Sequence, residues 1–155
     1  MSLRGVIVGN VWQSVRLYLH YFAWFQTALA TMGSLFFSEV MSLPPCVLCW
    51  YQRIAMYPLV IILAVSILRK DGLSKVYGLP LALVGFVVAV YHNLLYYKII
   101  PDSITPCTSG VSCTVKQIEW LGFITIPLLS LLAFCIVIIC LVFQKSDLRP
   151  NGEVV

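Results

Sequence analysis

Apolar residues fall into four long runs, at about 17–37, 46–68, 79–100 and 120–143, parted by short stretches where polar residues, proline and glycine collect. Each run is near the ~20 residues that a helix needs to cross a hydrocarbon core. Segments in lipid must satisfy their own backbone hydrogen bonds, so the runs are predicted to be helices. Uninterrupted runs of this length do not fit the short alternating strands of a closed barrel. The pattern predicts an all-α, polytopic membrane protein: one four-transmembrane-helix bundle over 1–145. The polar tail 146–155, with Pro150 and Gly152, is expected to be disordered. Arg4 and Arg16 precede the first run, and Ala28-Leu29-Ala30 within it resembles a leader cleavage site. Apolar sequence continues to Phe37, so the run is read as a retained span.

Composition agrees. Hydrophobic residues make up 61% of the 155 and charged residues only 10%, against about 25% charged in soluble domains. The net charge of +4 does not signal nucleic acid, because the basic residues sit between apolar runs, where they set orientation. Arg4 and Arg16 precede span one, Arg69, Lys70 and Lys75 follow span two, and Lys145 and Arg149 follow span four. The first loop has no Lys or Arg, and the third region has only Lys98 and Lys116. The positive-inside rule then puts both termini and the middle loop in the cytoplasm. The first and third loops face outward and carry Cys46, Cys49, Cys107 and Cys113. That is the oxidising side, where disulfides persist.

The candidate chemistry centres on Pro44-Pro45-Cys46-Val47-Leu48-Cys49-Trp50-Tyr51-Gln52-Arg53. Cysteines at i, i+3 share a helix face, and Arg53 follows one turn after Cys49. The two prolines suit a first helical turn, where no amide hydrogen is needed. The helix dipole, with Arg53 beneath, favours a thiolate there, and the thiolate is the species that attacks disulfides. Cys107 and Cys113 lie in a loop rich in Thr, Ser, Gly and Pro. A disulfide closing so short a loop would be exposed and suited to exchange with a protein partner, or would be a plain staple. CxxC with CxxxxxC lacks the tight knuckle spacing of a zinc site, so no metal is expected. Cys135 and Cys140 point about 140° apart on a helix and read as small apolar residues.

An intramembrane cation is costly and suggests function by default. Arg53 lies roughly 6 Å deeper than Cys49, and His92 roughly 9 Å below Lys98 at the outer surface, by helical rise. The two therefore share a depth. A thiol pair, a cation and an imidazole at one level suit a lipid-soluble electron acceptor with carbonyl oxygens. His20 is read as a residue snorkelling to the inner surface. Pro58 and Pro127 are expected to kink their helices, and Trp120 to anchor span four at the interface.

The string Cys-x-x-Cys-Trp-Tyr-Gln-Arg at 46–53, four spans and a second outward cysteine pair resemble the DsbB family of disulfide bond formation proteins. The short Cys107–Cys113 loop, followed by Trp120-Leu-Gly-Phe-Ile-Thr-Ile-Pro127, is similar to the BdbC-type members of Gram-positive bacteria. The resemblance covers nearly the whole chain. It implies an enzyme of the bacterial cell membrane that reoxidises an extracytoplasmic thioredoxin-like thiol oxidase of DsbA or BdbD type. Electrons would pass to a membrane quinone, either menaquinone or ubiquinone. By position, Cys107–Cys113 would exchange with the partner, with Cys107 forming the mixed disulfide. Cys46–Cys49 would face the quinone, with Cys49 its neighbouring thiolate and Cys46 the sulfur that exchanges with the loop pair. Arg53 would help bind the quinone, as would His92, whose surroundings match the family more loosely. Some members have a longer loop between the second cysteines, with a membrane-lying helix, and none is expected here. The alternatives are a membrane scaffold or chaperone with structural disulfides, and a quinone or epoxide reductase running the opposite way.

Overall fold

A computed structural model describes residues 3–69, 74–100, 119–120 and 124–144. Four helices dominate: α1 (Leu3–Leu35), α2 (Val47–Arg69), α3 (Leu79–Tyr96) and α4 (Ile126–Phe143). A π-helical turn, Phe36–Val40, extends α1, and another, Ser74–Gly78, leads into α3. A two-residue hairpin ladder pairs β1 (Glu119–Trp120) with β2 (Ile124–Thr125), antiparallel, ahead of α4.

The chain is an all-helical, polytopic membrane protein. Val47–Arg69, Ser74–Tyr96 and Ile126–Phe143 are each long and apolar enough to cross a bilayer. At 1.5 Å per residue, the 33 residues of α1 would extend about 50 Å, more than a hydrocarbon core of about 30 Å. The outward faces are apolar: Ile61, Leu68, Val84, Val87, Ile139 and Phe143 are all exposed. A face of this kind is stable against acyl chains and costly against water.

The interior holds Leu59, Leu63, Phe134, Val137 and Leu141, with Ala23, Ala55, Ala82, Ala89 and Ala133 between them. Small residues let helices in lipid approach closely, where dispersion contacts drive association. Gly85 is the tightest point. A Cβ there would overlap the Phe134 ring and stand 3.0 Å from the Ala55 Cβ.

Three local expectations change. The fourth helix starts at Ile126 and not near Trp120, which lies in β1. Thr125 is its N-cap, its hydroxyl accepting from the Leu128 amide at 3.4 Å. Pro127 consequently falls in the first turn, where its missing donor costs nothing, and it kinks no helix interior. His20 does not snorkel. It is buried, with Nδ1 2.9 Å from the Gln144 amide nitrogen. Gln144 also accepts from the Ser74 hydroxyl at 3.2 Å and, through its carbonyl, from Lys75 Nζ at 3.1 Å. This polar knot ties α1, the π-helical turn before α3 and the end of α4 together at the end of the bundle away from Cys46.

Helix α3 ends in a paired-hydrogen-bond cap. The Ile99 amide donates to Leu94 and the Lys98 amide to Leu95, both at 3.0 Å. Lys98 has φ 55°, the left-handed position that glycine usually fills in this cap.

Candidate active site

The site lies where the end of α1, the start of α2 and the end of α3 meet. Beyond the π-helical turn, the chain reverses at Ser42, with φ 52°. The Met41 and Leu43 amides donate back to the Phe36 and Phe37 carbonyls. Pro44 and Pro45 then run as non-helical backbone into Cys46, ahead of the first helical turn and not within it.

Cys46 caps α2. Its carbonyl accepts from the Trp50 amide at 3.1 Å, and its sulfur accepts from the Cys49 amide at 3.3 Å. In an N-cap role, Cys46 thus has its sulfur against one of the unpaired amides of the first turn. The Cys46 and Cys49 sulfurs lie 2.7 Å apart, inside van der Waals contact, with the two thiols free. A disulfide needs only a small further approach, to about 2.05 Å. Cys46 is buried and Cys49 half-buried.

The two sulfurs face different surroundings. Cys46 Sγ is 3.8 Å from His92 Nε2, and His92 Nδ1 is 3.2 Å from the Gln52 amide nitrogen. His92 and Gln52 are both buried. Cys49 opens instead on a cavity of about 320 Å³, walled largely by apolar side chains such as Leu29, Phe37, Met56 and Phe134. Gln52, Arg53, Tyr57 and Ser130 supply polar groups to the same cavity. The Tyr57 hydroxyl is buried and has no hydrogen-bond partner among the described residues.

Arg53 is half-buried, and its Nη2 donates to the Ser34 carbonyl at 3.0 Å. That carbonyl lies where α1 passes into its π-helical turn, and it also accepts from the Ser38 hydroxyl at 3.2 Å. The guanidinium also lies 5.6 Å from the Trp50 ring centroid, within cation–π range. These contacts hold the charge at the cavity wall, so Arg53 does not depend on reaching bulk water.

Cys46, Cys49, Arg53 and His92 gather at one end of the bundle. His92, expected beside the acceptor, stands against Cys46 and is joined to the cavity wall through Gln52. Cys107 and Cys113 lie outside the described residues, as does the tail 146–155. The ends of the third region are described: Ile100 packs against the cluster of Cys46, Leu48 and Leu95. Cys140 is buried in the apolar core, as expected. Cys46, Cys49 and His92 also present three donor atoms within 4.8 Å of one another, a set able to hold a metal ion. That set differs from the four loop cysteines weighed from spacing.

Sequence reasoning passed over Gln52, Tyr57 and Asn93. Gln52 was legible as a buried-face polar residue between Cys49 and Arg53 in an apolar run. Asn93 donates to the Ala89 and Pro127 carbonyls at 2.8 Å each, stitching α3 to the start of α4. Only tertiary contact reveals that bond.

A capped cysteine pair that opens on an apolar cavity inside a membrane bundle defines a membrane thiol–disulfide oxidoreductase, and comparison gives its family. Residues 16–144 match the family model of disulfide bond formation protein DsbB, and the chain belongs to that family. Disulfide bond formation protein C of Bacillus subtilis is 43% identical over 132 residues, covering 85% of this chain and 96% of its own length. A probable disulfide formation protein C 2 of Bacillus cereus is 44% identical, covering 86% and 94%. A probable disulfide formation protein of Metapseudomonas resinovorans is 41% identical, covering 82% and 89%. No solved structure matches the chain.

Proposed function

We propose that the protein reoxidises an extracytoplasmic thioredoxin-like thiol oxidase and passes the electrons through two cysteine pairs to a membrane quinone. In this reading both termini are cytoplasmic and the cysteine pairs face outward. The observation that carries it is Cys49, which opens on a 320 Å³ cavity with Arg53 one turn deeper on the same wall.

The residues present suit a quinone. Most of the wall is apolar, as a ring with a hydrocarbon tail requires, and a few polar groups converge on it. Arg53, Gln52, Tyr57 and Ser130 offer donors for carbonyl oxygens. Bound there, a quinone supplies the two-electron sink.

The chain's own residues do the exchange. Cys107–Cys113 takes the partner's electrons through a mixed disulfide at Cys107. A thiolate of that reduced loop pair then attacks Cys46 Sγ. The Cys46–Cys49 bond breaks, and its electron pair leaves on Cys49. The second loop thiolate attacks the mixed disulfide, closing Cys107–Cys113 and releasing Cys46. The two thiolates at 46 and 49 lose two electrons to the acceptor and rejoin as a disulfide. Arg53 stabilises negative charge on the cavity side of Cys49, and the α2 amides stabilise it on Cys46. Reach supports the relay: Ile100 packs against the cluster that holds Cys46, and the seven residues from there to Cys107 extend up to about 24 Å.

The test is quinone reduction by the purified protein in lipid nanodiscs, driven by a reduced thioredoxin-like partner, with thiol trapping of each pair. Cys49→Ser should insert normally and stop turnover. Full turnover in that variant would end the relay scheme, and labelling of the pairs by an impermeant reagent from the cytoplasmic face alone would end the orientation.

A further inference from the structure

We infer that Gln52 is a positioning residue that fixes the ring proton of His92 on Nε2 and so aims an N–H at the Cys46 sulfur. This rests on the thiol-relay reading above and adds an assignment that spacing did not give. The Gln52 amide nitrogen, 3.2 Å from His92 Nδ1, can only donate. Nδ1 is then the acceptor, so a neutral ring carries its proton on Nε2, the atom 3.8 Å from Cys46 Sγ.

The surroundings leave the ring little freedom. His92 is 2% exposed and Gln52 7%. Tyr91 from α3 and Cys49 from α2 pack against the cluster of Cys46, Leu48 and Leu95. The sulfur at the helix cap thus takes two N–H donors, the Cys49 amide and the His92 ring, and both favour its anion. Cys46 must be an anion twice in a turnover: when released from the mixed disulfide and when it rejoins Cys49. Gln52 also borders the cavity, so its second amide hydrogen can reach a bound acceptor while the first holds His92. One side chain thereby touches both the acceptor pocket and the sulfur pair.

Nitrogen-15 NMR of the His92 ring in detergent-solubilised protein tests this directly. The native chain should show a neutral ring protonated at Nε2. Gln52→Leu should give mixed tautomers, and Gln52→Glu should move the proton to Nδ1 or give the doubly protonated ring. In a Cys49→Ser background, Gln52→Leu should also slow methanethiosulfonate modification of Cys46 at neutral pH. The expected loss is about threefold, from a roughly tenfold lower thiolate fraction partly offset by higher intrinsic nucleophilicity. An Nδ1 proton in the native chain, or one unchanged ring signature across native, Leu and Glu chains, overturns the assignment. If Gln52→Leu does not fold, the near-isosteric Gln52→Glu carries the test alone. Loss of quinone reduction with the Nε2 signature intact would count against the relay reading and leave this assignment standing.

Discussion

Replacing Gly85 by alanine should both destabilise the bundle and damage the acceptor cavity, because one ring connects the two. The added Cβ would overlap the Phe134 ring and touch the Ala55 Cβ at 3.0 Å. Phe134 is fully buried, so its ring cannot swing into lipid. Overpacking of this kind costs about 1–3 kcal/mol, and glycine to alanine in a helix returns about 1 kcal/mol. The net expectation is a destabilisation of about 1–2 kcal/mol at the upper end of that overpacking range. Phe134 is also part of the cavity wall, so a displaced ring should raise the quinone KM while thiol exchange with the partner continues. Unfolding in mixed micelles gives the first quantity, and steady-state quinone titration the second. Phe134→Leu alone should cost about 1 kcal/mol or a little more, and the double variant should cost less than the sum, since the smaller side chain makes room for the methyl. A Gly85→Ala chain as stable as the parent, or strictly additive single effects, would refute the packing argument.

Other outcomes follow from the same contacts. Arg53→Gln removes the charge-assisted bond to Ser34 and the charge on the cavity wall. Quinone turnover should fall at least tenfold, since bonds to charged groups are worth about 1.5–3 kcal/mol, and unchanged KM and kcat would reduce Arg53 to a structural role. Tyr57→Phe deletes a buried hydroxyl that has no partner among the described residues. It should leave stability level or slightly higher and weaken quinone binding several-fold in a tryptophan-quenching titration; unaltered binding would take Tyr57 off the acceptor. Lys98→Gly should raise the unfolding midpoint by relieving a left-handed residue, a gain of about 1 kcal/mol. A lower midpoint would show that the lysine earns its place at the membrane surface.

The helices were legible because their cause is local. Lipid demands long apolar segments with internal hydrogen bonds, and hydropathy along the chain reports that demand. The cysteine pair and Arg53 were legible for the complementary reason, that a charge or a CxxC in such a segment needs a purpose. The missing parts depend on what the helices bring together. Trp120 read as helix because no charged residue parts it from α4, while the Thr125 cap that starts the helix is a single polar side chain. His20 read as snorkelling because nothing in its own run shows Gln144, 124 residues away, closing on it. His92 was placed by depth along its own helix, which does not tell that it meets Cys46 and Gln52. Only the packing of α2 against α3 brings those groups together.

The Gln144 knot has a mechanical consequence. It fastens three elements at one end of the bundle by polar bonds, and at the cavity end Arg53 to Ser34, Gln52 to His92 and Asn93 to Pro127 join the helices in pairs. With the helices latched near both ends, a long-tailed guest would enter by moving side chains at the cavity mouth, and the frame that holds the sulfur pair would keep its shape.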